Sequence, residues 1–526
     1  MLLLSMRKLE KFQIIKNVSS SWFALGVNVL VGIALTPYIL HHLGDSAWGI
    51  WVLIFSLTGY YGLFDLGIRS SIIRYVSKAT AVDDMDSAAR IVNTSLFSYS
   101  CIGAFTFLIT LIISVYIDDI FHKSISPEFH SAAPWLALMV GTSVSLGFPL
   151  GVSGGVLEAL QQFYVLNWTN VASTLIRAFL IVVTLRHGYG LLMVAFITVM
   201  MPVLTSILRT ALAWRSLPVP IGVRYIDRPT LREMGTYGGT TLILIISSRL
   251  RFKSDSVIIG AFLPAAAITY FNIGSRIVDY AGEIVESLAQ IFVPMSSQSD
   301  ARGDIERLRK IFVAGNRFCA FAILPISATL IILGKSIIAL WVGSRYVAPS
   351  YPILLILLIP TTLMFAQAAS ARVLFGMSKH RTWAIVTLAE GLINVLLSIV
   401  LVRPYGIIGD AVGTALPLSA TMIFFLPGHL CRRLQIRLSR YVQEAYALPL
   451  AICAPLIVVL LLMKRWFVPH TYLQLAAHVA VAAAVYAVGL SWVFLSQRAL
   501  RVGELRTNPV DAQGVGAAIE SYSQDI

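Results

Sequence analysis

The sequence predicts an all-α polytopic membrane protein of about 14 transmembrane helices, and three observations predict it. Of 526 residues, 57% are hydrophobic and 13% charged, against about 25% charged in an ordinary soluble domain. The apolar residues collect in fourteen runs, each close to the length of about 20 residues that crosses the hydrocarbon layer. The connections between them are mostly short, so no sizeable soluble domain is expected on either side.

The runs cover residues 17–41, 47–68, 91–117, 132–158, 164–185, 190–213, 237–262, 266–294, 311–334, 350–374, 383–402, 407–430, 445–463 and 473–496. Ahead of them, residues 1–16 form an amphipathic lead-in expected on the cytoplasmic face, with Met1 and Met6 both open as the start. Leu2-Leu3-Leu4 is too short for a signal core. Residues 17–213 make a first six-helix half, 214–236 a basic cytoplasmic linker and 237–430 a second six-helix half. Residues 431–499 add two helices, and 500–526 read as a disordered polar tail. Leu43–Trp51 and Leu263–Phe271 share a loose texture at the entry to each half. A six-plus-six repeat of this kind is parallel and places its substrate at a central cavity between the halves.

Composition also excludes. High hydrophobicity rules out disorder, and sparse charge rules out a nucleic-acid binder. Four cysteines, with no CxxC pair, rule out a disulfide-stapled module. The nine histidines show no HExxH and no metal-ligand spacing, so neither a metal nor a cofactor is expected. Gly151-Val152-Ser153-Gly154-Gly155 fits a serine-nucleophile pattern, but that motif needs a strand–turn–helix and here lies in an apolar helix.

The net charge of +14, from 40 Lys+Arg against 26 Asp+Glu, is mostly topology. With the N-terminus inside, 26 basic residues fall in inside segments and seven outside. That bias predicts both termini in the cytoplasm. The other seven lie within spans: Arg177, Arg249, Arg251, Lys253, Arg276, Arg317 and Arg372. A charge at mid-membrane costs at least about 2.5–3.5 kcal/mol, so each must face a watery cavity or a partner.

Arg249 and Lys253 share one stripe of the seventh span, which a cargo phosphate would find attractive. Arg251 and Asp255 share the opposite stripe and are expected to pair. Zippering of this span to the acidic eighth is the alternative. In the eighth span, Arg276, Asp279, Glu283 and Glu286 share one face. Asp255 and the three carboxylates are candidates for a site coupled to H+ or Na+, Asp279 and Glu283 being the deepest, or for a simple inter-helix zipper, while Arg276 and Arg251 are candidates for cargo binding with Arg249 and Lys253. Arg177, Arg317 and Arg372 are candidates for cargo contact or for helix pairing, with Glu390 and Asp410 available as partners. Asp65 and Arg74 suit a gate or fold-holding role. Gly147, Gly151 and Gly155 suit close helix packing.

Thr36-Pro37-Tyr38-Ile39-Leu40, then Leu43-Gly44-Asp45-Ser46-Ala47-Trp48-Gly49-Ile50-Trp51, Asp65-Leu66-Gly67-Ile68-Arg69 and Ile73-Arg74-Tyr75 follow in order. Together they resemble the opening of the polysaccharide-biosynthesis flippases, the Wzx-like lipid-linked oligosaccharide exporters of the MOP superfamily. Lys253–Leu263 resembles that family's seventh-span pattern. The resemblance implies a bacterial inner-membrane flippase. Its cargo would be an undecaprenyl-pyrophosphate-linked repeat unit for O-antigen, capsule or exopolysaccharide synthesis. It also implies membrane lipids, a glycan polymerase and a chain-length regulator as partners. Two rivals stand beside it. One is a drug or cation exporter of the same fold. The other is a multispan glycosyltransferase or polymerase, with Asp118-Asp119 as its foothold. The central cations favour an anionic cargo, and the short outside loops disfavour the enzyme.

Overall fold

The computed structural model describes residues 2–507, with side chains described for 16–17, 19–232, 243, 245–493 and 495. The lead-in's amphipathic face and the tail beyond 507 therefore lie outside the described residues. Among the described residues there is no strand. The helices run in order: α1 Leu2–Gly59, α2 Ile68–Ala81, α3 Met85–Ile120, α4 Ala133–Ala159, α5 Phe163–Arg186 and α6 Leu191–Ser216. Then come α7 Arg228–Phe252, α8 Ser254–Phe262, α9 Ala265–Ala289, α10 Phe292–Ala301, α11 Ile305–Trp341 and α12 Val347–Ala366. The last are α13 Ala368–Gly376, α14 Arg381–Ala420, α15 Leu426–Arg433, α16 Leu438–Trp466 and α17 Tyr472–Thr507. Helix α17 extends into the stretch expected as a tail from Leu500, and α1 makes the lead-in continuous with the first span.

Ten stretches among the described residues are long and apolar enough to cross a membrane. Two of them, Ser19–Asp65 and Arg381–Arg433, are far longer than one crossing needs. Each contains a glycine with non-helical backbone, Gly44 (φ 81°) and Gly406 (φ 59°). Both sit in the left-handed region that residues with a Cβ avoid. At each, the chain folds back on itself. Gly32 and Ser56 line one cavity, although a straight helix would hold them about 36 Å apart. In α14, the Ser398 hydroxyl donates to the Asp410 carbonyl at 3.2 Å, and a Cβ at Gly413 would lie 2.6 Å from the Ser398 nitrogen.

Helix starts outside the spans follow ordinary capping chemistry. Asp84, Asp227 and Asp304 accept from the backbone N–H three residues on, at 2.9, 3.1 and 2.9 Å. The Ser87 hydroxyl and amide hold the Asp84 carboxyl below the ordinary carboxylate range.

One apolar core joins the second arm of α1 to α8, α9 and α11–α14. A second core is built from α2, α3, α4 and α6, and a third ties α11 to α16 and α17. At the Gly44 end the helix groups touch closely. A Cβ at Gly49 would meet the Ala265 carbonyl at 1.9 Å. Asp45 accepts from Arg345 at 3.1 Å and from the Tyr346 hydroxyl, while its own carbonyl accepts from Thr269 at 2.6 Å. At the other end the linker is strapped to α3, with Asn93 bonded to Pro220 and Gly222 at 2.9 Å each.

The expected glycine stripe on α4 is corrected in part. A Cβ at Gly155 would meet Ile72 at 3.0 Å, but one at Gly147 or Gly151 would meet nothing within 4 Å. Close approach falls instead at Gly103 and Gly141, where α3 and α4 cross. Gly413→Val should lower stability by about 1–3 kcal/mol, because the facing arm of α14 cannot move away without breaking the hairpin. A thermal unfolding scan of the purified protein checks this, with Gly147→Ala expected to be silent.

Candidate functional site: a charged cavity beside a buried carboxylate pair

The seventh apolar run is not one helix. It breaks at Lys253, whose backbone (φ −125°, ψ −9°) separates α7 from α8. Irregular backbone at membrane depth is tolerated where it is buried in protein or lines a water-filled space. Here it lines a cavity of about 400 Å³. One wall carries Trp48, Trp51 and Phe55 from α1, the first of them donating to Asn272 at 3.4 Å. The other wall carries Lys253 and Asp255 from the break, with Arg276, Asp279 and Tyr280 from α9. Arg276 lies 3.9 Å from Asp279 and over the Tyr280 ring.

The break also overturns the expected pairing of Arg251 with Asp255. Spacing of four brings side chains together only along a continuous helix. Arg251 turns instead into the protein, 7% exposed, and its Nε lies 2.6 Å from Glu390 of α14. Arg249 points elsewhere, its guanidinium lying 2.8 Å from where a Cβ at Gly62 would stand. The expected Arg249–Lys253 stripe is therefore divided as well.

Asp255 is buried and accepts from the Thr414 hydroxyl at 2.9 Å. Thr414 in turn lies 3.2 Å from the Asn394 amide oxygen, which Ser398 also meets at 3.2 Å. Asp410, one turn before Thr414, is wholly buried, and neither of its carboxylate oxygens has a hydrogen-bond partner among the described residues. Two carboxylates, two hydroxyls and an amide oxygen thus gather between α8 and the two arms of α14. Among the described residues, no cation answers either carboxylate by direct contact. Oxygen-rich surroundings without a direct ion pair suit a proton or a hard monovalent cation.

A second cavity, about 390 Å³, holds the rest of the acidic face of α9. Asp279, Glu283 and Glu286 line it, with Arg372 of α13 paired to Glu286. The single face expected for Arg276, Asp279, Glu283 and Glu286 is therefore present, divided between two adjoining cavities. Three other candidates lie apart. Arg177 is half-buried on α5 and lines neither cavity. Arg317 donates to the Glu444 carbonyl at 2.6 Å, in a cleft between α11 and α16. Asp65 accepts from the Tyr99 hydroxyl, beside an Arg69–Glu158 pair at 2.5 Å that ties α2 to α4. Arg74 is exposed on α2.

Sequence reasoning missed Trp48, Trp51, Asn394, Ser398 and Thr414. Asn394 and Ser398, four apart in an apolar run, carried a legible signal, because polar side chains there must be satisfied inside the protein. The tryptophans carried none, since an aromatic in a span usually packs or faces lipid.

This arrangement defines a class, a multi-pass membrane transporter with broken helices around an internal charged cavity. The chain belongs to the family described as "Polysaccharide biosynthesis protein", whose profile matches residues 43–350, more than half the chain. A Shigella flexneri protein named for O-antigen transport is 22% identical over 427 residues, covering 80% of this chain and 98% of its own length. A Haloferax volcanii protein named as a low-salt glycan biosynthesis flippase is 21% identical over 212 residues, covering 40% of this chain and 45% of its own. The solved fold of the lipid II flippase MurJ in an inward closed conformation superposes with a TM-score of 0.70 at 14% identity, covering 92% of this chain and 99% of that one. An inward-facing MATE-family multidrug transporter of the MOP superfamily gives 0.67 at 15%, covering 79% and 95%. At such identities the two structures establish the fold alone.

Glu390→Ala leaves the Arg251 guanidinium buried without its partner. It should destabilise the protein by about 3–5 kcal/mol, read as a loss of monodisperse protein on heating. Combining Glu390→Leu with Arg251→Met, which removes both charges, should recover most of that loss.

Proposed function

We propose that this chain flips an undecaprenyl-diphosphate-linked oligosaccharide across a bacterial inner membrane by alternating access driven by an ion gradient. The observation that carries the reading is the cavity at the Lys253 break. Its cations suit a diphosphate, and its aromatic wall suits the faces of sugar rings. Arg276 faces Asp279 here, so the preference for an anionic cargo over the drug-exporter reading that the shared fold leaves open rests on Lys253, beside which Asp255 is the carboxylate assigned to the coupling ion. The product would feed O-antigen, capsule or exopolysaccharide assembly, with a glycan polymerase and chain-length regulator downstream.

Fourteen membrane passes support this architecture. Ten stretches, two of them doubled back at Gly44 and Gly406, account for twelve. Helices α7–α8 and α9–α10 supply two more. Two six-helix halves then flank the cavity, α16 and α17 stand outside, and the basic-residue bias places both termini in the cytoplasm. Close contact around Asp45 and Gly49 supports a state shut toward the outside.

Coupling is assigned to Asp255 and Asp410, with Thr414, Asn394 and Ser398 supplying neutral oxygens to H+ or Na+. Asp279, Glu283 and Glu286 are answered by Arg276 and Arg372 and serve the cavity walls. Asp255 borders the cargo cavity as well, so occupancy of the ion site and of the cavity would be linked through one carboxylate and the adjoining helix break.

Two experiments test this. In a strain lacking its own flippase, Lys253→Ala with Arg276→Ala should cut surface glycan roughly tenfold or more at normal expression, in line with loss of two charge-assisted contacts; full complementation would sink the cargo site. In proteoliposomes, Asp255→Asn or Asp410→Asn should abolish stimulation by an imposed ion gradient, while Asp279→Asn retains it. The reverse pattern would move coupling to α9.

A further inference from the structure

A second charged cavity lies away from the proposed transport path, at the start of α11. It has a volume of about 610 Å³ and is bounded by α11 and the turn from α15 into α16. Five cations line it, Arg309, Lys310, Arg317, Arg437 and Arg440, against two carboxylates, Glu306 and Glu444. The carboxylates are engaged locally. Glu306 pairs with Arg309, and Glu444 with Arg440 at 2.6 Å. Arg309 and Arg317 are held in place through carbonyls, donating to Leu434 at 2.7 Å and to Glu444 at 2.6 Å. Lys310 and Arg437 are exposed and have no side-chain partner among the described residues.

Depth decides what could enter. Helix α11 has 37 residues and is about 55 Å long, well beyond a hydrocarbon core of about 30 Å. Its first turns therefore stand in the headgroup layer. Arg317 lies about 18 Å along it, followed directly by Phe318, which is 45% exposed. On α16, Val442, two residues on from Arg440, is 48% exposed. Cations above and outward apolar side chains below match the two ends of a phospholipid. The net positive lining matches its phosphate.

We propose that this cleft binds a phosphate-bearing lipid headgroup from the cytoplasmic leaflet, with Lys310 and Arg437 making the phosphate contacts that the other cations frame. Two lipids present that chemistry, a bulk anionic phospholipid and a polyprenyl diphosphate waiting at the membrane surface. Both would seat α16 against α11 at the headgroup level. The site is independent of the cargo cavity, so its fate does not depend on the transport reading.

The test uses the full chain in neutral detergent, titrated with phosphatidylglycerol and followed by native mass spectrometry, with phosphatidylcholine as the uncharged control. The K310Q/R437Q variant should bind phosphatidylglycerol about tenfold more weakly or worse, given the loss of two surface cations. Phosphatidylcholine binding should not change, and K310R/R437K should bind like the wild type. Equal phosphatidylglycerol affinity in a folded K310Q/R437Q protein would overturn the proposal, as would equal weakening of phosphatidylcholine. Undecaprenyl diphosphate added in competition then separates the sources. Displacement at lower concentration than the phospholipid's own identifies the diphosphate carrier as occupant, and retention identifies the bulk lipid.

Discussion

Taking a charge into hydrocarbon is so costly that every ionisable side chain in a span must be answered, and most of this structure follows from how each is answered. Arg251 is answered by Glu390 and Arg372 by Glu286. Arg317 is answered by the Glu444 main-chain carbonyl, and Arg209 by the Leu166 carbonyl together with Thr169 and Asn170. Arg276 is answered by Asp279 and the Tyr280 ring, and Lys253 mainly by open space, since it lines the cavity beside α1. Sorting the charges this way separates those that hold helices together from those that water must reach, and so marks where cargo can go.

The backbone obeys the same constraint. A break in a helix frees N–H and C=O groups that lipid cannot satisfy. The chain breaks at Lys253 and again at Gln367, between α12 and α13. Each break borders a charged cavity, and Gln367 also donates from its side chain to the Met422 carbonyl at 2.9 Å. The breaks and the cavity-lining charges therefore point to the same part of the molecule by separate physical routes.

Much of this was legible in the sequence. Run length announced membrane helices, and polar cost picked out seven of the embedded cations, Arg209 excepted, before any geometry was known. What spacing could not supply was continuity. The Arg251–Asp255 pair assumed an unbroken helix through Lys253, and no glycine or proline there warned otherwise. Gly147 and Gly151 illustrate a second limit, because a small-residue stripe permits close packing without saying which helix, if any, lies opposite. Asp410 was visible as a charge, but its isolation depends on the fold of α14 at Gly406, a long-range fact. Asp279 and Glu283 looked like the natural pair for coupling because nothing local showed that Arg372 of α13 stands beside that face.

Alternating access needs two states of similar free energy, which limits how strongly either end can be sealed. At the Gly44 end, the contacts between α1 and the second group of helices combine a core of apolar side chains with hydrogen bonds gathered on one residue. Asp45 alone engages Thr269, Tyr270, Arg345 and Tyr346. A bond to a charged group contributes about 1.5–3 kcal/mol and the neutral Thr269 bond about 0.5–1.5 kcal/mol, and water can replace each partner when the end opens. Gly49 removes the side chain that would otherwise interlock with α9. A seal of short-range bonds around one carboxylate, over a contact that buries no interdigitated side chain at Gly49, can be opened without unpacking either group. The proposed ion site sits below it on α8 and α14, where occupancy of Asp255 would bear on the same helix that supplies Gly260 to the packing against Leu53 of α1. A change of charge there would reach the seal through one short helix, which is the shortest route the fold offers between the proposed coupling site and the end that must open.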